Sequence, residues 1–397
     1  MRTAIIGAGA AGCFCAIELK RRRPEAVVDV YEAGSKPLAK VAITGGGRCN
    51  LTNSFAGINS LKEAYPRGDK LLKKVFSVFD NKDTWKWFEN EGVNLVLQDD
   101  QCVFPASQDA MQIVNLLKSR MRQLGVNLRV NSKVSSVKTL LDQYDSVVVT
   151  TGGYHKPVAS GSTGDLFEGL DLEIVPPVPS LFTFNLPSSP VRDLMGTVVE
   201  NVSTSLAGTK FKASGPLLVT HWGMSGPAIL KLSSYAARFL AERRYEATML
   251  VNWYGEDGQD HVRMDLQKAA EKNPLRQVLN SHPEHIPARL WAYLVTKSKI
   301  REDARWAEIG SKGLNRLCET LTNDSYHIKG QSRFKEEFVT CGGVALSEIN
   351  NKTLESTKYP GLYFAGEVLD IDGITGGFNL QAAWSTGFLA AISISEK

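Results

Sequence analysis

The sequence lacks the hallmarks of several protein classes. Six cysteines are scattered over 397 residues without a C-x-x-C pair, so the sequence predicts neither a redox dithiol nor a zinc knuckle. No run of about 18 apolar residues is present, and we expect no membrane span. Lys and Arg number 46 against 42 Asp and Glu, an excess of +4 that is too dilute over this length to predict a nucleic-acid partner.

What remains is the composition of an ordinary globular protein. Hydrophobic residues make up 43%, charged residues 22%, and the mean hydropathy is −0.16. The length predicts two or three domains. The apolar N-terminus is interrupted by glycines and continues into Lys20-Arg21-Arg22-Arg23, so we interpret it as folded structure and not as a signal peptide. Sparse cysteines fit a reducing compartment, and we expect a cytoplasmic protein.

The first 32 residues carry a dinucleotide-binding pattern. A short apolar strand precedes GAGAAG, a helical run follows, and a second strand ends at Glu32, 20 residues after Gly12. Gly7 permits a tight turn, Gly9 lets the backbone approach a pyrophosphate, and Gly12 allows close packing of helix on strand. The phosphates would sit at the helix N-terminus. Glu32 can accept hydrogen bonds from an adenosine ribose and would repel a 2′-phosphate, which disfavours NADP in this pocket.

A second segment, residues 361–387, favours FAD over NAD. It reads GLYFAGEVLDIDGITGGFNLQAAWSTG, in which an apolar strand delivers Gly366 and Glu367 at its carboxyl end. Ligands bind at that end of the strands in open α/β sheets. Gly376-Gly377 then opens the last helix. NAD-dependent dehydrogenases do not need such a C-terminal return, whereas flavoproteins use it to hold ribityl and flavin groups.

A third segment, TGGGRCNLTN at residues 44–53, contains three successive glycines, which lose much chain entropy when they are ordered. They make sense where the backbone lies close to a planar ligand. Lys40 and Arg48 supply positive charge that suits phosphates or an electron-rich flavin edge. We predict that this loop lies along the flavin end of the cofactor, because the first turn and Glu32 already account for the adenine end.

The order of strands and helices predicts an α/β protein with a mostly parallel sheet. The character changes near Pro176-Pro177-Val178-Pro179, where short strand-like runs begin, and a helical pattern covers residues 262–321. The sequence therefore predicts one domain from residues 1–185 plus 333–397. An inserted β-rich domain would comprise residues 186–260 plus 322–332 and carry a helical subdomain at residues 261–321.

Together, these motifs, with Thr150-Thr151-Gly152-Gly153 and THWGMSGPAIL at 220–230, resemble the aminoacetone-oxidase/BaiN-like (YhiN-like) FAD-binding flavoproteins. The resemblance covers essentially the whole chain and implies a Rossmann-like, glutathione-reductase-like FAD domain in two segments. By position it implies an ADP-binding set of Gly7, Gly9, Ala10, Ala11, Gly12 and Glu32. The remaining cofactor residues would be Lys40, Gly47, Arg48, Cys49, Asn50, Thr151, Gly152, Gly366, Glu367, Gly377, Phe378, Asn379, Leu380 and Gln381.

The sequence offers few catalytic candidates. His221, in a glycine-rich segment after an apolar strand, could be an acid or base near the flavin, although a structural role for this histidine is the stronger interpretation. Cys49 could be a redox thiol, but packing or backbone contact fits its surroundings better. His282 and His285 lie in a proline-broken segment without a third ligand, so we expect no metal.

The favoured interpretation is an FAD-dependent oxidoreductase that moves hydride to or from a small organic substrate. Without a second G-x-G-x-x-G segment, either NAD(P)H docks transiently over the flavin or oxygen reoxidises it. Two alternatives stay open: a binding or RNA-associated protein in which FAD is structural, and an NAD-dependent dehydrogenase. The sequence does not indicate the oligomeric state.

Overall fold

The computed structural model describes residues 1–153, 165–330 and 339–397. Its strands are β1 (Arg2–Ile6), β2 (Val27–Tyr31), β3 (Thr52–Asn53), β4 (Leu95–Leu97), β5 (Cys102–Pro105), β6 (Asn127–Arg129), β7 (Ser146–Val149), β8 (Ile174–Ser180), β9 (Phe184–Asn185), β10 (Val198–Leu206), β11 (Lys212–Val219), β12 (Gly223–Ser225), β13 (Glu246–Asn252), β14 (Asp324–Lys329), β15 (Val339–Val344) and β16 (Leu362–Phe364).

The helices are α1 (Ala10–Arg22), α2 (Ala39–Gly47), α3 (Leu61–Ala64), α4 (Asp69–Val75), α5 (Asn81–Asn90), α6 (Ala110–Gln123), α7 (Val137–Leu141), α8 (Pro227–Tyr235), α9 (Ala237–Glu242), α10 (Gln259–Lys272), α11 (Ala288–Lys297), α12 (Trp306–Thr322) and α13 (Phe378–Ser395). Contacts divide the chain into two compact units, residues 1–178 with 339–397 and residues 179–338.

Local sequence explains where the helices begin and which face they bury. The Asp109 side chain accepts a hydrogen bond from Met111 N at 2.8 Å and so caps α6, while Ile113 and Leu117 form its buried stripe. In contrast, α13 is apolar on nearly all sides and is mostly buried, as expected for a helix enclosed by the protein.

The first unit contains a five-stranded parallel sheet in the order β16-β7-β1-β2-β6. Ile5 of β1 pairs with Val30 on one side and Val148 on the other, so the carboxyl ends of the central strands meet at one edge. This sheet, with α1 packed closely against α13, confirms the predicted α/β class and its Rossmann-like core. The cofactor motifs all lie at or near the carboxyl edge of this sheet.

Two smaller sheets in the same unit have no counterpart in the sequence prediction. One has the order β3-β5-β4, and the other pairs β15 with β8. Pro176 and Pro177 lie inside β8, in a two-stranded sheet where missing amide donors are tolerated. The segment taken as a boundary is therefore a strand, and the two compact units separate within it, between Val178 and Pro179.

The second unit is built on an antiparallel sheet in the order β14-β13-β10-β11-β12-β9, as expected for a β-rich insert. Its core includes the fully buried Trp253 and Trp291, and α10, α11 and α12 contribute apolar faces to it. The separate helical subdomain at residues 261–321 stays a prediction. The predicted bound at 332/333 lies outside the described residues.

In the three described ranges, none of the helices combines the length and apolar character needed to cross a membrane.

Close packing of α13 on α1 generates a test of the fold. A Cβ atom on Gly387 would lie 2.6 Å from the backbone oxygen of Ala11. Helix propensity alone would make Gly387→Ala stabilising by about 1 kcal/mol. We expect instead a loss of about 1–3 kcal/mol, because the two helices must separate to admit the methyl group. Urea unfolding measures the sign directly, and a higher unfolding midpoint would contradict the packing described.

Candidate functional site

Two of the three glycines in the first βα turn are closely packed against other backbone, and the third borders open space. Gly7 has φ +105°, and a Cβ atom there would lie 2.5 Å from the backbone oxygen of Thr150. A Cβ atom on Gly12 would lie 2.0 Å from the oxygen of Gly7, whereas one on Gly9 would have no atom within 4 Å. The turn is therefore filled where strand and helix must pack and open where a pyrophosphate would approach.

Ala10 and Ala11 form the first turn of α1, so this open side faces the unpaired N–H groups of a helix N-terminus. The arrangement fits the phosphates of a dinucleotide.

Glu32 follows β2 directly and lies beside this turn. Its Oε2 accepts a hydrogen bond from Ala8 N at 3.0 Å, and its Oε1 accepts one from Gly34 N at 2.8 Å. Two backbone donors thus fix the carboxylate while leaving lone pairs for further donors, since an ionised carboxylate accepts about four hydrogen bonds. This geometry suits the ribose hydroxyls that the spacing predicts for Glu32.

Lys40, Gly152 and Glu367, predicted from separate parts of the chain, meet in the structure. The Lys40 Nζ lies 3.0 Å from Glu367 Oε2, and a Cβ atom on Gly152 would be 3.5 Å from that same oxygen. Thr340 N donates to Glu367 Oε1 at 2.9 Å. Sequence reasoning missed Thr340, which nothing in its local pattern marks as a site residue.

Gly366 joins this group to the first turn. A Cβ atom on Gly366 would lie 3.0 Å from the Ala11 side chain, and its N–H donates to Thr386 Oγ1 at 2.9 Å. Thr151 and Gly152 lie just beyond the end of β7, after Thr150. The N-terminal and C-terminal cofactor segments are therefore in contact at the carboxyl edge of the sheet, as a ligand shared between them requires.

The glycine loop is the continuation of α2. The backbone leaves the helix at Thr44 and becomes left-handed at Gly45 and Gly46. A Cβ atom on Gly45 would lie 2.8 Å from Asn50 N, but Gly46 and Gly47 have open space around them. One glycine closes the loop and the next two expose bare backbone, which fits the close approach of a flat ligand.

Arg48 is held by the protein itself. Its Nε donates to the Gly45 oxygen at 3.1 Å, and its guanidinium carbon lies 4.4 Å above the centre of the Phe104 ring. Nη1 also reaches Gln108 Oε1 at 3.4 Å. These contacts shape the loop, so the predicted action of the Arg48 charge on the cofactor remains a prediction.

Cys49 is buried, and burial raises the pKa of its thiol to about 12. A thiol of this kind stays protonated at neutral pH, which favours the packing interpretation over a redox thiol. The next residue connects the loop to the last helix: in the hydrogen-bonding orientation of its amide, Asn50 donates to the Thr52 oxygen at 3.1 Å and accepts from Gly377 N at 3.2 Å.

The start of α13 is anchored by polar side chains. Thr52 Oγ1 donates to Gln381 Oε1 at 2.5 Å, and Gln381 Nε2 donates to Ser385 Oγ at 2.8 Å, both inside the protein. The Asn379 amide exchanges two hydrogen bonds with the backbone of Gly373.

Gly377, at the N-cap of α13, leaves no room for a side chain beside the Thr52 oxygen. The Phe378 oxygen accepts from Tyr65 at 2.8 Å, and Leu380 packs partly buried against the core. The side chains predicted at 378–381 therefore fix the helix start, which leaves its backbone N–H groups as the groups that can meet a ligand.

His221 lies in the second unit, in the turn between β11 and β12. Its side chain is exposed, its ring centre lies 3.8 Å from that of Trp222, and its backbone oxygen accepts a hydrogen bond from Arg192 Nε at 2.8 Å. These contacts explain the shape of the turn. A catalytic role for His221 stays a prediction.

Comparison with known proteins identifies relatives along the whole chain. The family model described as the HI0933-like protein Rossmann domain matches residues 1–393. A ribosomal RNA dihydrouridine synthase of Escherichia coli is 31% identical over 98% of this chain and 96% of that protein. A protein of the same name from Haemophilus influenzae is 29% identical, covering 99% and 98%. A 3-dehydro-bile acid delta(4,6)-reductase of Clostridium scindens is 27% identical, covering 100% and 99%.

The open space at Gly9 is tested by filling it. We expect Gly9→Ala to fold normally and to weaken FAD binding by about tenfold or more, because the methyl group occupies the approach of the pyrophosphate. Gly258→Ala is the matched control: Gly258 is also an extended helix N-cap with open space around it, in the second unit. Titration of each apoprotein with FAD gives the affinity of the two variants. If Gly9→Ala and Gly258→Ala bind FAD equally well, the phosphates do not lie at this turn.

The ribose assignment of Glu32 is tested with two substitutions. We expect Glu32→Ala to reduce FAD affinity roughly ten- to a hundredfold, since losing a charged acceptor costs on the order of 1.5–3 kcal/mol. Glu32→Gln keeps one acceptor oxygen and should lose less. Flavin content after purification and the dissociation constant measure the effect. A Glu32→Ala protein with full flavin and unchanged affinity would show that the carboxylate serves only the turn.

Proposed function

The chain belongs to the HI0933-like family of FAD-binding Rossmann proteins and is an FAD-dependent oxidoreductase, and we propose that it reduces a carbon–carbon double bond conjugated to a carbonyl group. The observation that carries this proposal is that the relatives' named activities concern the same type of bond. Dihydrouridine is uridine with its ring C=C bond, which is conjugated to a carbonyl, reduced. A 3-dehydro bile acid with delta(4,6) double bonds likewise carries C=C bonds conjugated to its 3-keto group.

This reaction adds a hydride to the carbon distal to the carbonyl and a proton to the carbon next to it. FAD, once reduced, supplies the hydride. The first turn and Glu32 would hold the ADP half, while Glu367, the exposed glycine backbone at 46–47 and the start of α13 would hold the flavin half. The hydrogen bonds of Asn50 and Gln381 fix the start of α13, and fixed backbone donors of this type stabilise negative charge that develops during hydride transfer.

A reduction needs a reductant, and we propose NAD(P)H, which docks transiently. No C-x-x-C pair is available to pass electrons, and the sequence has no second G-x-G-x-x-G segment to bind nicotinamide in a domain of its own. The six free cysteines fit a reducing cytoplasm, where NAD(P)H is at hand. Oxygen as the physiological electron acceptor suits this direction of reaction poorly, because it consumes the same reduced flavin.

We propose uridine in ribosomal RNA as the substrate. The support is the match to two ribosomal RNA dihydrouridine synthases, one of them 31% identical, with nearly complete coverage of both chains. This substrate departs from the small organic molecule of the favoured interpretation. It also departs from the expectation of no nucleic-acid partner, which rests on a charge excess averaged over the whole length. The second candidate is a small conjugated ketone, favoured by the 27% identity to the bile acid reductase over the full chain.

One anaerobic experiment tests the reaction class and ranks the substrates. The flavin of the purified protein is first bleached with NADH or NADPH. Unmodified ribosomal RNA transcribed in vitro, an unrelated transcript of equal length, and a steroid with a conjugated 3-ketone are then added separately. We expect the ribosomal transcript to restore the flavin absorbance fastest and to gain two hydrogen atoms per modified uridine, measured by nucleoside mass spectrometry.

Recovery with the steroid alone would support the second candidate. Recovery only when oxygen is admitted would contradict the reductase proposal in both forms.

A further inference from the structure

One stretch of the second unit, residues 201–245, carries an excess of positive charge. Between residues 201 and 245 there is a single acidic residue, Glu242, against six basic ones. The net charge of this stretch, +5, exceeds the +4 of the entire chain. The basic residues are Lys210, Lys212, Lys231, Arg238, Arg243 and Arg244.

The fold brings the two ends of this stretch together through aromatic contacts. Phe211, in the turn between β10 and β11, packs edge to face against Phe239 of α9, with ring centres 5.6 Å apart. The Arg243 guanidinium carbon lies 3.8 Å from the centre of the Phe239 ring. Lys210, at the tip of the hairpin, is thereby placed on the same surface as the arginines that follow α9.

Three of these cations are exposed and uncompensated. Lys212 forms an ion pair with Glu256 at 3.5 Å, so its charge is partly neutralised. Lys210, Arg243 and Arg244 make no ion pair within residues 1–153, 165–330 and 339–397. Arg244 has a left-handed backbone, φ 52°, which makes the chain reverse directly after α9 and present both arginines to solvent. An anion that approaches this surface is attracted by each of these exposed cations.

We propose that this basic–aromatic surface, formed by Lys210, Phe211, Phe239, Arg243 and Arg244, binds the phosphate backbone of ribosomal RNA. The inference rests on the proposed RNA substrate and adds where the protein holds it. Arg243 stacks one face of its guanidinium on Phe239, which orients the N–H edge for bidentate contact with a phosphate. Contacts of this kind position an RNA without reading its sequence, so the surface would supply affinity, and base selection would occur elsewhere.

The test compares two triple variants with the same loss of charge. Lys210→Gln/Arg243→Gln/Arg244→Gln removes the exposed cations of the surface. Lys268→Gln/Lys272→Gln/Lys312→Gln removes three exposed lysines from α10 and α12 of the same unit and serves as the control. A third variant, Lys210→Arg/Arg243→Lys/Arg244→Lys, keeps the charge. Flavin content and circular dichroism establish that each is folded, which is expected because all the altered side chains are exposed.

Binding to the ribosomal transcript is measured by fluorescence anisotropy at several salt concentrations. Each lost phosphate contact should reduce the slope of log K against log salt by roughly 0.7–0.9, so the surface variant should lose about two to three units of slope. Its uridine reduction should fall at low RNA concentration, while bleaching by NAD(P)H stays as in the wild type. The control and the charge-keeping variant should retain nearly the full slope.

These measurements distinguish an error in the RNA-binding surface from an error in the proposed RNA substrate. If the wild type reduces uridine in RNA and the surface variant matches the control in slope and affinity, the surface is wrong and the proposed function stands. If the wild type neither binds nor reduces the transcript but does reduce the conjugated steroid, the RNA substrate is wrong and this inference falls with it.

Discussion

The structure of the site depends on one contact: the start of α1 lies directly against the backbone that leaves β1 and β7. The Gly7 oxygen occupies the place where a side chain on Gly12 would be, and the backbone of Thr150 occupies the place of one on Gly7. Thr150 Oγ1 donates to that same Gly7 oxygen at 2.8 Å and so fixes the turn. With the helix held this close, its N-terminus opens at the edge of the sheet where Glu32 and Gly366 also lie.

The same closeness extends to the other end of the chain. Gly387 allows α13 to lie against α1. The C-terminal segment can therefore place Glu367 next to Lys40 and Gly377 N within hydrogen-bond distance of the Asn50 side chain. Most side chains at this edge hydrogen-bond to the protein, and the surfaces left for a cofactor are bare backbone at glycines and at helix starts. A site of this kind binds phosphates and a flat ring through N–H groups, and it depends on glycine because any side chain would close it.

Much of this could be read from sequence because the signals are local. The turn glycines, the distance to Glu32 and the strand before Gly366 all depend on residues near one another in the chain, and the structure has each of these elements where expected. The contact of Thr340 with Glu367 and the packing of Arg48 on the Phe104 ring could not be found this way, because each joins residues far apart in the sequence.

Two further features could not be read from proline content or net charge. The segment at residues 176–179 is predicted as a domain boundary, and the two compact units do separate within it, but its prolines lie inside strand β8. The net charge of +4 predicts no polyanionic partner, yet the fold places Lys210, Arg243 and Arg244 beside Phe211 and Phe239. In both cases the local environment, and not the composition, decides what the residues do.

The central claim is that three separated segments hold one FAD. Hydrogen–deuterium exchange of the apoprotein with and without FAD tests it most directly, because amide groups that meet the cofactor or are ordered by it become protected. The account predicts added protection in residues 7–12, in residues 44–50 and in residues 376–381 at the same FAD concentration. Protection limited to residues 7–12, with the other two segments unchanged, would contradict it.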